Sequence, residues 1–319
     1  MIDSDATDFD VTDHGHGITA IDTGFFRPKF DASHLIVENG RAAFVDVGTN
    51  YSVPRLLEVL RNKGLGVEDV DYVILTHVHL DHAGGAGLMM QRLPNARAVV
   101  HSRGARHMID PAQLIAGATA VYGAEEIRRS YGELMPIPAD RVDVADDGHV
   151  IDLEGRPLLC IDTPGHARHH VSIHDERSRA FFTGDTFGLS YREFDTARGA
   201  FMVPTSTPVQ FEPDALKASI ARMLDFHPQQ MFLTHYSRVT DVERLAQDLV
   251  VQIDAMVEIA LRHKSDVNRH ASIADDLANL YISRAAAHGC TFGPERVREL
   301  LAMDIELNTQ GLEVWLSRK

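Results

Sequence analysis

The amino-acid sequence predicts an α/β protein. Short β-type runs such as His34–Glu38 and Ala42–Val47 alternate with amphipathic helical patterns such as residues 242–260. Four of the β-type runs are soon followed by a histidine or an aspartate, and strand ends are where open α/β sheets place their ligands. The chain has 319 residues, of which 44% are apolar and 24% charged, so it can build one large domain or two modest ones.

The first half of the chain begins with a polar, acidic segment, residues 1–16, which predicts a flexible N-terminus. β-type runs follow at residues 18–23, 34–38 and 42–47, and Asn39-Gly40 between the last two indicates a hairpin. A helix is predicted from a cap at Ser52 to a stop at Gly64. The other elements predicted here are a strand at 72–75, a helical stretch at 85–92, a strand at 98–101 and a helical insertion at about 103–132.

The second half continues the same alternation. Residues 186–212 are irregular, and a connection of that length is more often functional than idle. The elements predicted around it are strands at 150–153, 158–161, 171–174, 180–183 and 231–233, helices from Pro213, over 242–260 and over 271–307 (interrupted at His288-Gly289), and a terminal strand at Leu312–Leu316.

One short sequence occurs twice. Val73-Ile74-Leu75-Thr76-His77 resembles Met231-Phe232-Leu233-Thr234-His235, and each copy follows a predicted helix. This repetition is a hint of two similar halves.

Composition excludes several classes of protein. Lys and Arg number 31 and Asp and Glu number 46, so the net charge of −15 disfavours nucleic acid and anionic membranes as partners. No apolar run approaches the roughly 18 to 20 residues that span a bilayer, and the acidic start shows no secretory signal. Two cysteines, Cys160 and Cys290, form no disulfide framework. We therefore expect a cytoplasmic protein with a small-molecule substrate, and the apolar C-terminal helices allow a homodimer.

The segment from Thr76 to Gly85 contains the largest group of neighbouring side chains that can bind a metal. An apolar strand leads into His77, His79, Asp81 and His82, four metal-competent side chains within six residues. In an extended chain His77 and His79 point the same way and can chelate one ion, and after a turn Asp81 and His82 can face a second. Gly84 and Gly85 allow a sharp entry into the next helix.

Three more candidates each follow a β-type run: His166 after Asp162-Thr163-Pro164-Gly165, Asp185 after Gly184, and His235 after Thr234. Five imidazoles and two carboxylates suit zinc, iron or manganese better than calcium.

The pattern His-x-His-x-Asp-His, with the later His166, Asp185 and His235, resembles the metallo-β-lactamase-fold superfamily, over about Ile18 to Tyr236. The Thr-Pro-Gly-His turn and the seven ligands look most like its glyoxalase II branch. The resemblance implies a four-layer αββα sandwich with a catalytic domain over 17–240 and a C-terminal helical extension over 241–319.

The same resemblance implies the ligand set. His77, His79 and His166 would hold one metal, Asp81, His82 and His235 a second, with Asp185 bridging. We expect two divalent metal ions, Zn²⁺ first, with Fe or Mn as alternatives.

The activity implied is that of a dinuclear hydrolase, in which a metal-bound hydroxide attacks a small thioester or lactone. Asp81 can also pass a proton to the leaving group, and the hydroxyl of Tyr191 or Tyr236 can bond the oxyanion. The alternative is a mononuclear iron oxidoreductase of the persulfide dioxygenase type. A phosphodiesterase or nuclease is less favoured because of the acidic charge.

Overall fold

The computed structural model describes residues 9–206 and 208–319. Within these residues the first half of the chain forms, in order, β1 (Val11–Asp13), β2 (Ile18–Asp22), β3 (Ala32–Glu38), β4 (Arg41–Val45), α1 (Val53–Asn62), β5 (Val70–Ile74), α2 (Leu80–Ala83), α3 (Ala86–Arg92), β6 (Arg97–Val100), α4 (Ser102–Ile109), α5 (Ala112–Tyr122), α6 (Ala124–Tyr131) and β7 (Val142–Val144).

The second half adds a second set of strands and the C-terminal helices. Its elements are β8 (Val150–Leu153), β9 (Arg156–Asp162), β10 (Val171–Asp175), β11 (Ala180–Gly184), α7 (Pro213–Leu224), β12 (Gln230–Leu233), β13 (Ser237–Val239), α8 (Val242–Arg262), α9 (Arg269–His288), α10 (Pro294–Leu300) and α11 (Ala302–Ser317).

The strands of each half build one sheet. In the described part of the chain, β1 to β7 lie in sequence order in a seven-stranded sheet, antiparallel from β1 to β4 and parallel from β4 to β7. A six-stranded sheet has the order β13-β12-β11-β10-β9-β8, in which β11 and β12 are parallel and the other pairs antiparallel.

Alternating side chains along the strands bury both faces of each sheet. On β4, Val45 points to a core between the sheets that it shares with Phe182 and Phe232, whereas Phe44 points to a core with α1 and α3. Phe181 on β11 faces a third core, which contains apolar side chains of α7 to α11. The four-layer αββα sandwich that the resemblance implied is therefore confirmed.

Two predicted segments differ from the structure. Residues 1–8 lie outside the described part, but Val11–Asp13 pairs with β2, and Asp13 forms an ion pair with Lys63, so the described portion of the N-terminal end is attached. The predicted strand at Leu312–Leu316 is wrong because this segment belongs to α11. Leu312, Trp315 and Leu316 share one buried helix face, and a short apolar run does not distinguish a strand from a buried helix.

None of the helices in the described ranges is both long enough and apolar enough to cross a membrane.

Candidate metal centre

All seven predicted ligands meet at one edge of the two sheets. His77 and His79 follow β5, and Asp81 and His82 lie on α2, which begins directly after His79. The second sheet contributes His166 after β9, Asp185 after β11 and His235 after β12. Three groups of these residues have ligand atoms within 4.8 Å of one another: His77, His79 and His166; His77, His82 and Asp185; and Asp81, His82 and His235.

Glycines permit the tight turn that carries four of these ligands. A side chain at Gly84 would place its Cβ 2.4 Å from the Leu80 carbonyl oxygen, and one at Gly85 would lie 2.5 Å from the Thr49 carbonyl oxygen. The close backbone approach therefore requires both glycines, as the sequence predicted.

The first group consists of three imidazoles in close contact. His79 Nδ1 lies 2.9 Å from His77 Nε2 and 3.1 Å from His166 Nε2. Burial and the neighbouring imidazole of His166 lower the pKa of His79 to about 3, and burial together with the other histidines lowers the pKa of His77. These rings are therefore neutral at physiological pH, which is the state that binds a metal.

The second group combines imidazole with carboxylate. Asp81 Oδ2 lies 3.3 Å from His235 Nε2 and 3.7 Å from His82 Nε2. Burial lowers the pKa of His235, but Asp185 and the hydrogen bond with Asp81 outweigh this effect and raise it to about 10. The pKa of His82 is raised for the same reason, because Asp185, Asp81 and Asp46 outweigh its burial.

Asp185 lies between the two groups. Its Oδ1 is 3.2 Å from His82 Nε2 and 3.6 Å from His235 Nε2, and its Oδ2 is 3.4 Å from His166 Nε2. His82 Nε2 and Asp185 Oδ1 are both buried and make no hydrogen bond. Buried polar atoms of this kind are costly unless something binds them, so the residues present fit bound divalent metal.

Neighbouring groups fix which nitrogen three of the imidazoles present. The Thr205 hydroxyl donates its proton to the Asp185 carbonyl oxygen (3.1 Å), so it accepts from His166 Nδ1 (2.9 Å). His235 Nδ1 donates to the Phe30 carbonyl oxygen at 3.1 Å, and His82 Nδ1 donates to Asp46 Oδ2 at 2.7 Å. In each case Nε2 is left for a metal, which is how such partners select the tautomer of a ligand.

Asp46 is a site residue that sequence reasoning missed. It is buried, follows β4 directly and has a left-handed backbone (φ 51°). Besides His82 Nδ1, it accepts hydrogen bonds from the Thr76 backbone N–H (2.9 Å), the Thr76 hydroxyl (2.8 Å) and the Thr234 hydroxyl (2.9 Å). A weak signal was present, because Asp46 is a carboxylate near the end of the predicted β-type run 42–47, but it lies outside the histidine motif.

His170 and His169 lie beside the predicted ligands. His170 Nε2 accepts a hydrogen bond from the Asp185 backbone N–H at 3.2 Å, and its ring stacks on His77. The His169 ring lies 5.8 Å from that of His79. Neither histidine belongs to the three groups of possible ligands in the described residues.

The two candidate tyrosines direct their hydroxyls elsewhere. Tyr191 Oη donates to Asp304 Oδ1 at 3.1 Å, and Tyr236 Oη donates to Asp10 Oδ2 at 2.7 Å. A neutral phenol has one proton to donate, and each of these hydroxyls donates it to a carboxylate. In this geometry neither hydroxyl makes the oxyanion contact that the sequence analysis predicted. Both hydroxyls act instead as links within the fold.

Known proteins share this architecture. The family model of the Metallo-beta-lactamase superfamily matches residues 27–235. The Metallo-beta-lactamase fold-containing protein ST1585 of Sulfurisphaera tokodaii is 28% identical over 173 residues, which are 53% of this chain and 61% of that protein. Its crystal structure superposes with a TM-score of 0.66 at 22% identity and covers 93% of this chain and 98% of ST1585.

Two further relatives carry functional names. Hydroxyacylglutathione hydrolase of Stenotrophomonas maltophilia is 28% identical over 152 residues, or 48% of this chain and 44% of the relative. Atrochrysone carboxyl ACP thioesterase of Aspergillus fumigatus is 30% identical over 117 residues, or 37% of this chain and 27% of the relative. The chain thus spans between about a quarter and three fifths of the length of these three relatives.

Proposed function

The chain belongs to the metallo-beta-lactamase superfamily, and from that premise we propose that it is a metal-dependent hydrolase of a small ester-like substrate, a thioester or a lactone. The family expected from the histidine motif is confirmed, and a hydroxyacylglutathione hydrolase is among the relatives. The observation that carries the proposal is the position of Asp185, whose two carboxylate oxygens face two groups of imidazoles.

We assign the ligands to two ions. One ion would be held by His77, His79 and His166, and the other by Asp81, His82 and His235. Asp185 would contact both ions. Imidazole and carboxylate suit Zn²⁺, and Fe or Mn accept the same donors. When bound, such ions lower the pKa of a water to about 7 and polarise the carbonyl of a substrate.

Asp81 is suited to move a proton. Its side chain is 24% exposed, whereas that of Asp185 is 6% exposed, so Asp81 is the carboxylate at the open side of the cluster. His82 and His235 outweigh its burial and hold its pKa below the usual range, so the group is ionised. A carboxylate of this kind is a weak base but a ready donor, so Asp81 would take up a proton from the attacking water only transiently and pass it to the leaving group.

The names of two relatives support an ester-like substrate. One is a thioesterase and the other a hydrolase of hydroxyacylglutathione. The net charge of −15 disfavours an anionic polymer as substrate.

Elemental analysis and a substrate panel test the proposal together. We expect two zinc ions per chain and hydrolysis of a thioester or lactone, with no cleavage of a phosphodiester. Asp185→Asn should lower both metal content and turnover, whereas Asp152→Asn, which changes an exposed carboxylate on β8, should change neither. One iron per chain with oxygen-dependent consumption of a persulfide would overturn the proposal of a hydrolase in favour of the mononuclear iron oxidoreductase. Phosphodiester cleavage would overturn it in favour of a nuclease.

A further inference from the structure

The C-terminal helix α11 is bonded to the segment that carries Thr205. Asn308 Oδ1 accepts from the Ser206 backbone N–H at 2.6 Å, and Asn308 Nδ2 donates to the Pro204 carbonyl oxygen at 3.0 Å. The Ser206 hydroxyl also donates to the Asn308 carbonyl oxygen at 3.0 Å. Asn308 therefore holds the backbone on both sides of Thr205.

Thr205 is the residue that orients His166. Its hydroxyl bonds both His166 Nδ1 and the Asp185 carbonyl oxygen. Asn308, Ser206 and Thr205 are all buried, with exposed fractions of 2%, 0% and 5%. Because water does not compete for these bonds, they are stronger than the same bonds at an exposed position would be.

A second path leads from the same face of α11 to His235. Asp304 lies four residues before Asn308, one helical turn away, and accepts the Tyr191 hydroxyl proton. The Tyr191 ring stacks on Phe30 with centroids 5.1 Å apart. Phe30 in turn accepts the His235 Nδ1 hydrogen bond through its carbonyl oxygen.

We infer that α11 is a positioning element of the metal centre: Asn308, acting through Thr205, orients His166, and Asp304, acting through Tyr191 and Phe30, orients His235. The inference rests on the two ions of the proposed function. It gives the C-terminal helices a part in the site, in addition to their share of the core.

Cobalt titration tests the inference without any substrate. Co²⁺ is added to metal-free protein, and the visible absorption reports the number and affinity of the bound ions. Asn308→Leu should weaken one of the two equivalents by about 10- to 100-fold, the range typical for partners of metal ligands. Thr205→Val should weaken the same equivalent. Tyr191→Phe, which keeps the ring stacked on Phe30, should weaken the other equivalent by about tenfold, the lower end of the same range.

A double-mutant cycle separates positioning from general damage. If Asn308 acts through Thr205, the variant with both Asn308→Leu and Thr205→Val should bind no more weakly than Thr205→Val alone. The matched control is Thr309→Val, which removes a buried hydroxyl from the next position of α11 that bonds only within the helix, to the Ile305 carbonyl oxygen. The control should bind Co²⁺ like the wild type. The unaffected equivalent in Asn308→Leu shows that this variant is folded.

The outcomes are distinct. Additive losses in the double variant, wild-type affinity in Asn308→Leu, or an equal loss in Thr309→Val would each overturn the inference. Absence of Co²⁺ binding by the wild type would overturn both the inference and the proposed function. Two bound ions without hydrolysis of any thioester or lactone would overturn the proposed function alone, and the inference would then be decided by the titration.

Discussion

Replacing Asp46 by asparagine removes the negative charge that supports the centre while preserving the shape of the side chain. Four donors converge on this carboxylate: the backbone and hydroxyl of Thr76, the hydroxyl of Thr234 and Nδ1 of His82. Of the two orientations of the amide, the one that costs less free energy turns its NH₂ group toward the Thr76 backbone N–H. That buried donor is then unpaired, which costs about 1–3 kcal/mol in the free energy of unfolding.

The same change weakens the hold on His82. Its Nδ1 proton then meets a neutral oxygen instead of a carboxylate, and charge-assisted hydrogen bonds are roughly twice as strong as neutral ones. We expect affinity for the ion that His82 binds to fall about 10- to 100-fold, or about 1.4–2.8 kcal/mol. A competition titration of Zn²⁺ against a chelating dye measures the affinity, and urea denaturation of the metal-free protein measures stability.

Asp175→Asn is the matched control. Asp175 is also fully buried, but it accepts from Arg156 Nε at 3.0 Å and from Arg156 Nη2 at 2.5 Å, on the strands of the second sheet. This variant should lose free energy of unfolding and keep wild-type affinity for Zn²⁺. Wild-type affinity in Asp46→Asn, or an equal loss of affinity in Asp175→Asn, would refute the argument that Asp46 supports the ligands.

Three other outcomes follow from the structure. Removing the metal with a chelator should lower the melting temperature, since a ligand at 100 times its dissociation constant stabilises a fold by about 2.7 kcal/mol; an unchanged melting curve would contradict a bound ion. Asp81→Asn should lower kcat by about 100-fold or more, and normal turnover with normal metal content would remove its role in proton transfer. His34, buried between Phe182 and Phe232, has a pKa lowered to about 3 by burial, so only the unfolded state gains its proton as pH falls below about 6.5. From pH 7.5 to pH 5, the free energy of unfolding of the metal-free wild type should therefore fall by about 2 kcal/mol more than that of metal-free His34→Phe. Urea denaturation at both pH values measures this difference, and equal falls in the two proteins would refute it.

The ligands could be predicted from the sequence because side chains that directly follow strands lie together at one edge of a sheet. His166, Asp185 and His235 are far from the histidine motif along the chain, yet each follows an apolar run, and the structure brings all three to that motif. The repeated Thr-His also proved informative. Thr76 follows β5 and Thr234 follows β12, and the hydroxyls of both donate to the same carboxylate, that of Asp46.

What the sequence did not predict depends on contacts between distant parts of the chain. The apolar run of α11 at Leu312–Leu316 was visible but was predicted as a strand, and no local pattern shows that Asn308 meets Ser206, 102 residues earlier. Likewise, the hydroxyls of Tyr191 and Tyr236 are near ligands in sequence, and only the tertiary structure shows that Asp304 and Asp10 accept their protons. A position close to a ligand in the sequence therefore indicates that a side chain lies near the site, but it does not determine where its hydroxyl points.

The division of the ligands between the two sheets has a consequence for biosynthesis. His77, His79, Asp81 and His82 come from the first sheet, whereas His235 is the last ligand to be made and comes from the second. Domains generally fold as units, and Val45 of the first sheet packs in one core with Phe182 and Phe232 of the second, so the first sheet cannot complete its core before the second has been made. The proposed donors can therefore come together only after synthesis has passed His235 and the two sheets have joined.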